Sequence, residues 1–314
     1  MQLKQSENTE DCNDNDNLEG LSLKKTNIPE SPATLEEHQH VMLIMLKELD
    51  GVCKQLNIPY TLFAGSLLGA VRHKGFIPWD DDLDVLMMRE DYERFLAHAE
   101  ELLDKDKYYL QREFSDHWPM PFSKLRMNNT TCIEKYHPKD KNVHQGIYID
   151  IFPCDNAGPC SFARVLQFVA SKVVIAKALD RRGYDTDSLI KTAFIKLCRL
   201  IPEKRLYCFS VSGNHDSKYV HTFYGASRSL KRCVYPRSIF EKRLLLEFEG
   251  CSFPCPAGYD KLLKILYGDY NKLPNENVRK SKVHAIMVDT KRAFDPNNDF
   301  RDGIVFRVKT RSIR

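Results

Sequence analysis

Four aspartates fall within five residues: Asp80, Asp81, Asp82 and Asp84. Like charges this close repel one another unless a cation gathers them. On a strand, alternate residues share a face, so Asp82 and Asp84 point one way and Asp81 the other. Two or three carboxylates on one face, just after a loop, can share a hard divalent cation. Magnesium typically takes one or two carboxylates and leaves its remaining positions to water and substrate phosphate. Transfer at phosphorus needs such an ion to neutralise charge and align nucleophile and leaving group.

Other readings of the cluster are weaker. An EF-hand loop would need Gly and Glu where Val85 and Asp91 stand. Asp80-Asp81-x-x-Asp84 also spells the diphosphate motif of isoprenoid synthases, but that motif sits on a helix, and Pro78 and the short apolar run after it disfavour one here. Asp82-x-Asp84 alone resembles the metal motif of nucleotide-sugar glycosyltransferases. A plain solvated acidic turn would leave the charge undiluted.

Upstream, Gly65-Ser66 closes a short apolar stretch, Tyr60–Ala64, that reads as a buried strand. A strand ending in Gly-Ser and turning into a helix offers backbone N–H groups and a hydroxyl to phosphate oxygens. By itself the pair is an ordinary helix cap, with Ser66 as capping residue. Followed by paired aspartates on the next strand, it spells the core of the nucleotidyltransferase fold, as in the palm of DNA polymerase β. That fold calls for a third carboxylate on a neighbouring strand. Asp150, the single acid in Gly146-Ile-Tyr-Ile-Asp-Ile-Phe-Pro153, is the candidate. A carboxylate in such a strand must be ion-paired or metal-bound.

The elements that must position these residues follow from pattern. Thr34 and Glu37 form a capping box, and Val41, Ile44, Met45, Leu49, Val52, Cys53 and Leu56 recur at helical spacing. A helix is expected over 66–72, a strand over 83–87, and a helix over 89–103 with Tyr92, Phe95, Leu96, Ala99 and Leu103 on one face. Strands are expected at 108–112, 122–127 and 147–152, a hairpin at 244–255, and a helix at 259–267. Residues 161–207 read as two helices with ten basic residues against four acidic ones. These elements make an α+β protein, a mixed sheet backed by helices with a largely helical C-terminal part.

The whole chain of 314 residues carries a net charge of +4, but the first 33 residues hold three lysines against seven acids. That stretch has no aromatic residue and no apolar period, and it is expected to be disordered. The remaining +8 suits a phosphate-bearing ligand or an anionic membrane. Ten irregularly spaced cysteines and no apolar leader after Met1 suggest reduced thiols in the cytoplasm. The spacing of Cys154, Cys160, Cys251 and Cys255 fits no standard zinc pattern. The run at 162–179 is broken by Arg164, Lys172 and Lys177, so it is no transmembrane span. The basic helices could rest on an anionic membrane, but charge runs are more often a solvated face. No helix-turn-helix or aromatic-basic stripe points to nucleic acid.

GSLLGAVRHKGFIPWDDDLDVLMMREDYERFL, FSKLRM, GIYIDIFPCDN and FEGCSFPCPAGYDKLLKILYGDYNKLP, in that order, resemble the LicD family of phosphorylcholine transferases and, more distantly, the fukutin-type ribitol-phosphate transferases. The resemblance covers roughly residues 35–285; Ser66 stands where many members would have Thr, which keeps the hydroxyl. It implies a catalytic core over 34–160, a basic helical insertion over 161–230 and a C-terminal part, 231–314, completing the domain. It also implies a reaction. A CDP-linked alcohol such as CDP-choline passes its phospho-alcohol to a hydroxyl on a glycan or glycolipid, and CMP leaves. Asp80, Asp82, Asp84 and Asp150 match the family's acids and would hold magnesium or manganese, with Asp150 completing the site or taking the acceptor's proton. Gly65, Ser66, Arg72, His73, Lys74, Lys124 and Arg126 are the expected phosphate-binding residues. Two alternatives share parts of this logic. A true nucleotidyltransferase would release pyrophosphate rather than CMP. A non-catalytic binding relative would have no need of the clustered acids.

Overall fold

The computed structural model describes residues 33–115, 117–134, 142–182, 189–213, 215–225, 229–281 and 283–295. The expected tail at 1–32 lies outside them. Ala33, assigned to that tail from sequence, instead belongs to the fold: it is buried and donates its N–H to the carbonyl of Val288.

In chain order the elements begin with α1 (Leu35–Gln55), β1 (Thr61–Leu62), α2 (Ala64–His73), β2 (Asp84–Met88) and α3 (Arg89–Leu102). Then come β3 (Tyr108–Gln111), β4 (Ser123–Met127), β5 (Thr131–Glu134) and β6 (Tyr148–Asn156). Three helices follow, α4 (Ser161–Arg181), α5 (Leu189–Cys198) and α6 (Glu203–Val211). The rest is β7 (Tyr219–His221), α7 (Leu230–Cys233), β8 (Val234–Pro236), β9 (Arg243–Phe248), β10 (Cys251–Pro256), α8 (Tyr259–Tyr267), α9 (Glu276–Ser281) and β11 (Ala285–Asp289).

The main sheet runs β1-β2-β6-β4-β3, with β7 and β8 continuing from the far end of β6. Only β2 and β6 are parallel; the other pairs are antiparallel. Nearly every residue of β2 and β6 is buried, so both faces of the sheet's centre are covered. Helices α1 and α3 pack on β6 and β2, while α2 lies between β2 and the β9–β10 hairpin. The hairpin closes with Glu249 and Gly250, both at positive φ (50° and 70°), the two-residue loop whose twist matches its strands.

The capping box of α1 forms as expected, with Thr34 and Glu37 bonded reciprocally. The helix buries Met42, Met45, Leu46, Leu49, Val52 and Cys53, whereas Ile44 faces out. Both Met42 and Ile44 fit an apolar period, and only the position of the sheet decides between them. The expected cap role of Ser66 does not hold. The chain turns at Ala64 (φ 43°), Phe63 is the capping residue, and Ser66 lies inside the first turn of α2.

The C-terminal part is less helical than expected. Residues 161–211 form three helices rather than two, but 219–289 carry β7 to β11. Three-residue strands such as β7 and β8 are too short to show a period of two. Strand β5 was not expected either; it pairs with β11 across the chain. Among the described residues no helix is long and apolar enough to cross a membrane.

Candidate active site

The sheet sets two of the expected acids side by side. In the β2–β6 ladder Asp84 is the register partner of Asp150, and in the β4–β6 ladder Lys124 is. Asp80 and Asp82 precede β2 and, with Asp84, line a cavity of about 830 Å³. Asp81 turns away, as alternation requires, and its carboxylate accepts the N–H groups of His284 (2.7 Å) and Ala285 (2.6 Å). That clamp brings the start of β11 to the cavity, and His284 Nε2 stands 3.6 Å from Asp82 Oδ2.

Burial raises the pKa of Asp84 well above the ordinary carboxylate value, and the charges of Asp82, Asp150 and Asp80 add to it. Burial likewise raises Asp82, with His284 opposing and Asp81 reinforcing. Asp150 is raised by burial, with Lys124 opposing and Glu134 reinforcing. Asp150 Oδ1 lies 3.0 Å from Lys124 Nζ, yet off the direction of a hydrogen bond, and this buried oxygen makes none.

The expected phosphate-binding residues divide. Gly65 lines the cavity, and a Cβ there would meet Asp80 Oδ2 at 2.7 Å, so only glycine leaves this wall open. Arg72 also lines it, held by a 2.7 Å bond to the carbonyl of Tyr270. The hydroxyl of Ser66 is buried and accepts the N–H of Asp84 at 2.8 Å; it braces β2 rather than facing the cavity. His73 accepts a hydrogen bond from Arg72 Nε and meets the edge of Trp79, and Lys74 is paired with Glu247 at 3.2 Å. Lys124 is buried between Asp150 and Glu134 (3.0 and 3.6 Å), its ammonium 3.2 Å from the centre of the Tyr148 ring. Arg126 is buried on Gln111 and the carbonyl of Gly146. Asp150, Ser66, His73, Lys74, Lys124 and Arg126 are absent from the cavity wall.

The rest of the wall comes from the C-terminal part. Tyr267 and Tyr270 follow from α8, and Lys272, Arg279 and His284 from the segment after it. Arg279 stacks on Trp79, 4.5 Å from the ring centre. Tyr267 is 42% exposed, and desolvation of its hydroxyl, with the charges of Asp84, Asp80 and Asp82 adding to it, raises its pKa above the usual phenol value. The sequence signal for these residues was the quoted block ending GDYNKLP; its order was visible, its place at the acids was not. Glu134 was not foreseen either. Against the cost of burial, Lys124, Arg182 and Arg126 pull it down to about 2, so it is an anion that fixes Lys124.

Acids (Asp80, Asp82, Asp84 and Asp269), cations (Arg72, Lys272 and Arg279) and the rings of Trp79, Tyr267 and Tyr270 therefore line one cavity. A family model described as LicD/FKTN/FKRP, nucleotidyltransferase domain, matches residues 57–163, from just before β1 into α4. Over those residues the chain is similar to a LicD-family domain. It is 27% identical over 256 residues to the lipopolysaccharide cholinephosphotransferase LicD of Haemophilus influenzae, spanning 79% of this chain and 95% of that protein. It is also 31% identical over 134 residues to the uncharacterized protein RP689 of Rickettsia prowazekii, 49% of that protein's length. The uncharacterized protein RT0683 of Rickettsia typhi shares 49% identity over 47 residues. The matched domain contains Gly65, Arg72, Asp80, Asp82, Asp84 and Asp150, while Tyr267, Asp269, Arg279 and His284 lie outside it. The C-terminal part thus completes the lining of the cavity.

Proposed function

We propose that this chain is a metal-dependent transferase that moves phosphocholine, or a closely related phospho-alcohol, from a CDP-linked donor to a hydroxyl of a glycan or glycolipid and releases CMP. The cavity carries this reading: Asp80, Asp82 and Asp84 share with Arg72 and Arg279 a space of about 830 Å³ that the rings of Trp79, Tyr267 and Tyr270 also line. Its likeness to the H. influenzae cholinephosphotransferase supports phosphocholine as the group moved.

The residues fit a divalent ion. Asp84 and Asp82 are held close against their mutual repulsion, and Asp150 keeps a buried oxygen without a hydrogen bond. Magnesium typically takes one or two carboxylates and completes its shell with water and substrate phosphate. Asp82 and Asp84 would hold it, and Asp80 and Asp150, the neighbour of Asp84 across the β2–β6 ladder, would hold its waters. The ion would neutralise charge on the diphosphate.

The protein's own groups do the rest. Arg72 and Arg279, which line the same cavity, bind the diphosphate, and Gly65 lets backbone N–H groups approach it. Trp79, Tyr267 and Tyr270 offer rings to a quaternary ammonium group. As the acceptor oxygen bonds to phosphorus, the bond to the CMP oxygen breaks, and a carboxylate of the cluster takes the acceptor's proton.

The test is CMP release from CDP-choline, CDP-ribitol and CDP-glycerol, with magnesium and lipopolysaccharide as acceptor. CMP should appear fastest with CDP-choline, and Asp82→Ala should lower the rate at least ~100-fold with the fold retained. Unchanged release by that variant would sink the site. Pyrophosphate from CTP, without CMP, would favour the nucleotidyltransferase that the matching family description also names.

A further inference from the structure

We infer that the helical segment 161–211 is a docking surface for an anionic lipid bilayer. The observation is an inverted helix. In α4 the buried positions are Gln167, Ala170, Ser171, Val174, Ala176 and Ala178, small or polar for the most part. The large apolar residues of its first half face outward: Phe162 is 71% exposed and Val169 54%, with Val165 and Leu166 between them. At about 100° per residue these four fall within an arc of about 100°, one continuous stripe. Phe194 and Leu197 of α5, Leu200 just after it, and Phe209 of α6 are also exposed. A soluble surface rarely carries so many large apolar side chains on one bundle unless something covers them.

Charge decides what covers them. Residues 161–211 hold ten basic side chains against four acidic ones, a net charge of +6. The two acids of this segment that are described are already engaged within it. Asp180 takes both ends of Arg199, and Glu203 both ends of Arg181. A helix with an apolar stripe and flanking Lys and Arg lies in the plane of a membrane interface, drawn by anionic headgroups. With Arg182 turned in to Glu134, nine basic residues against four acidic ones remain, so charge still disfavours setting two copies face to face. The sequence showed the charge, which reads as a solvated face; the outward stripe changes that reading. At its other end α4 runs into Arg182, 4.0 Å from Glu134 behind the acids, so the same helix connects the surface to the active site.

The surface needs no donor or acceptor, so its test is independent of catalysis. The full chain would be floated with phosphatidylcholine vesicles, with and without phosphatidylglycerol. Wild type should float only with the anionic vesicles. Phe162→Asp/Val169→Asp should lower the partition about tenfold or more. Lys196→Gln/Lys204→Gln/Arg205→Gln should also lower it, with near-UV circular dichroism unchanged in both variants. Wild type that stays at the bottom of the gradient overturns the inference, as does equal flotation of the aspartate variant. A dimer that binds no vesicle and is split by Phe162→Asp/Val169→Asp would also overturn it, and would give the face to a second copy.

Discussion

Two ends of one pair of strands treat their carboxylates in opposite ways. At the cavity end, Asp84 on β2 and Asp150 on β6 stand side by side with Asp82, and their charges push one another's pKa up. At the other end, Asp155 of β6 is buried but matched. Arg89, the first residue of α3, donates to both of its oxygens at 2.7 and 3.0 Å. Arg89 also reaches Glu113 at 3.3 Å, and Tyr207 donates to the same Glu113 oxygen. Against its burial, Asp155 pushes the Arg89 guanidinium further above its usual value. A buried acid is therefore not in itself a sign of function. The matched end is structural, and the end left short of positive charge is where the proposed cation and diphosphate would bind.

The largest expected effect tests the matched end. Arg89→Ala leaves Asp155 and Glu113 buried without their cation, and breaking a buried pair from one side costs about 3–5 kcal/mol. Denaturation in urea should show that loss. A change under about 1 kcal/mol would mean that water replaces the guanidinium and that the two ends do not differ as described.

A smaller loss is expected at the cavity end, where backbone N–H groups help to hold the acid-bearing segment in place. The Ser66 hydroxyl accepts the Asp84 N–H, and Asp81 accepts two backbone N–H groups of the β11 segment. Ser66→Ala orphans a buried N–H at the start of β2, which costs about 1–3 kcal/mol. Ser66→Thr keeps the hydroxyl and should recover most of the stability. If Ser66→Ala loses CMP release without losing stability, the hydroxyl meets substrate rather than β2, and the brace described here is wrong.

Much of this was legible because the acids are local in sequence. Asp80 to Asp84 share one segment, and alternation alone put Asp81 on the other side from Asp82 and Asp84. Asp150 stood out as a lone acid in an apolar strand. Helix α8 spans Tyr259–Tyr267 as its pattern requires, and α3 buries Tyr92, Phe95, Leu96 and Ala99. What could not be read depends on long-range pairing. Strands β5 and β11 are short and lie more than 150 residues apart, so nothing in either foretells the other. Lys124 and Arg126 look like solvent-facing phosphate ligands in sequence. Their neighbours Glu134, Gln111 and the Gly146 carbonyl, which bury them, come from other strands and loops. Arg279, which lines the same cavity as the acids, likewise comes from a segment distant in sequence.

The smallest expected effect has the opposite sign and sharpens the comparison most. Asp84→Asn removes one charge from the unmatched cluster while keeping its shape. The folded state holds Asp84 with a raised pKa, so it resists ionisation that the unfolded chain undergoes freely above about pH 4. Wild type therefore loses stability as pH rises through that range, and the amide does not. At pH 7.5 the variant should be more stable by roughly 0.5–2 kcal/mol, the usual range for relieving a strained functional site. The gain should shrink as pH falls toward 4, where both states of wild type hold the proton. Magnesium should raise the wild-type midpoint at pH 7.5 and raise the variant's less, because an ion bound only by the folded state stabilises it. CMP release should be lost in the same variant. If Asp84→Asn instead destabilises the protein at neutral pH, as Arg89→Ala should, then Asp84 is as well matched as Asp155, and the cavity acids are one more structural network.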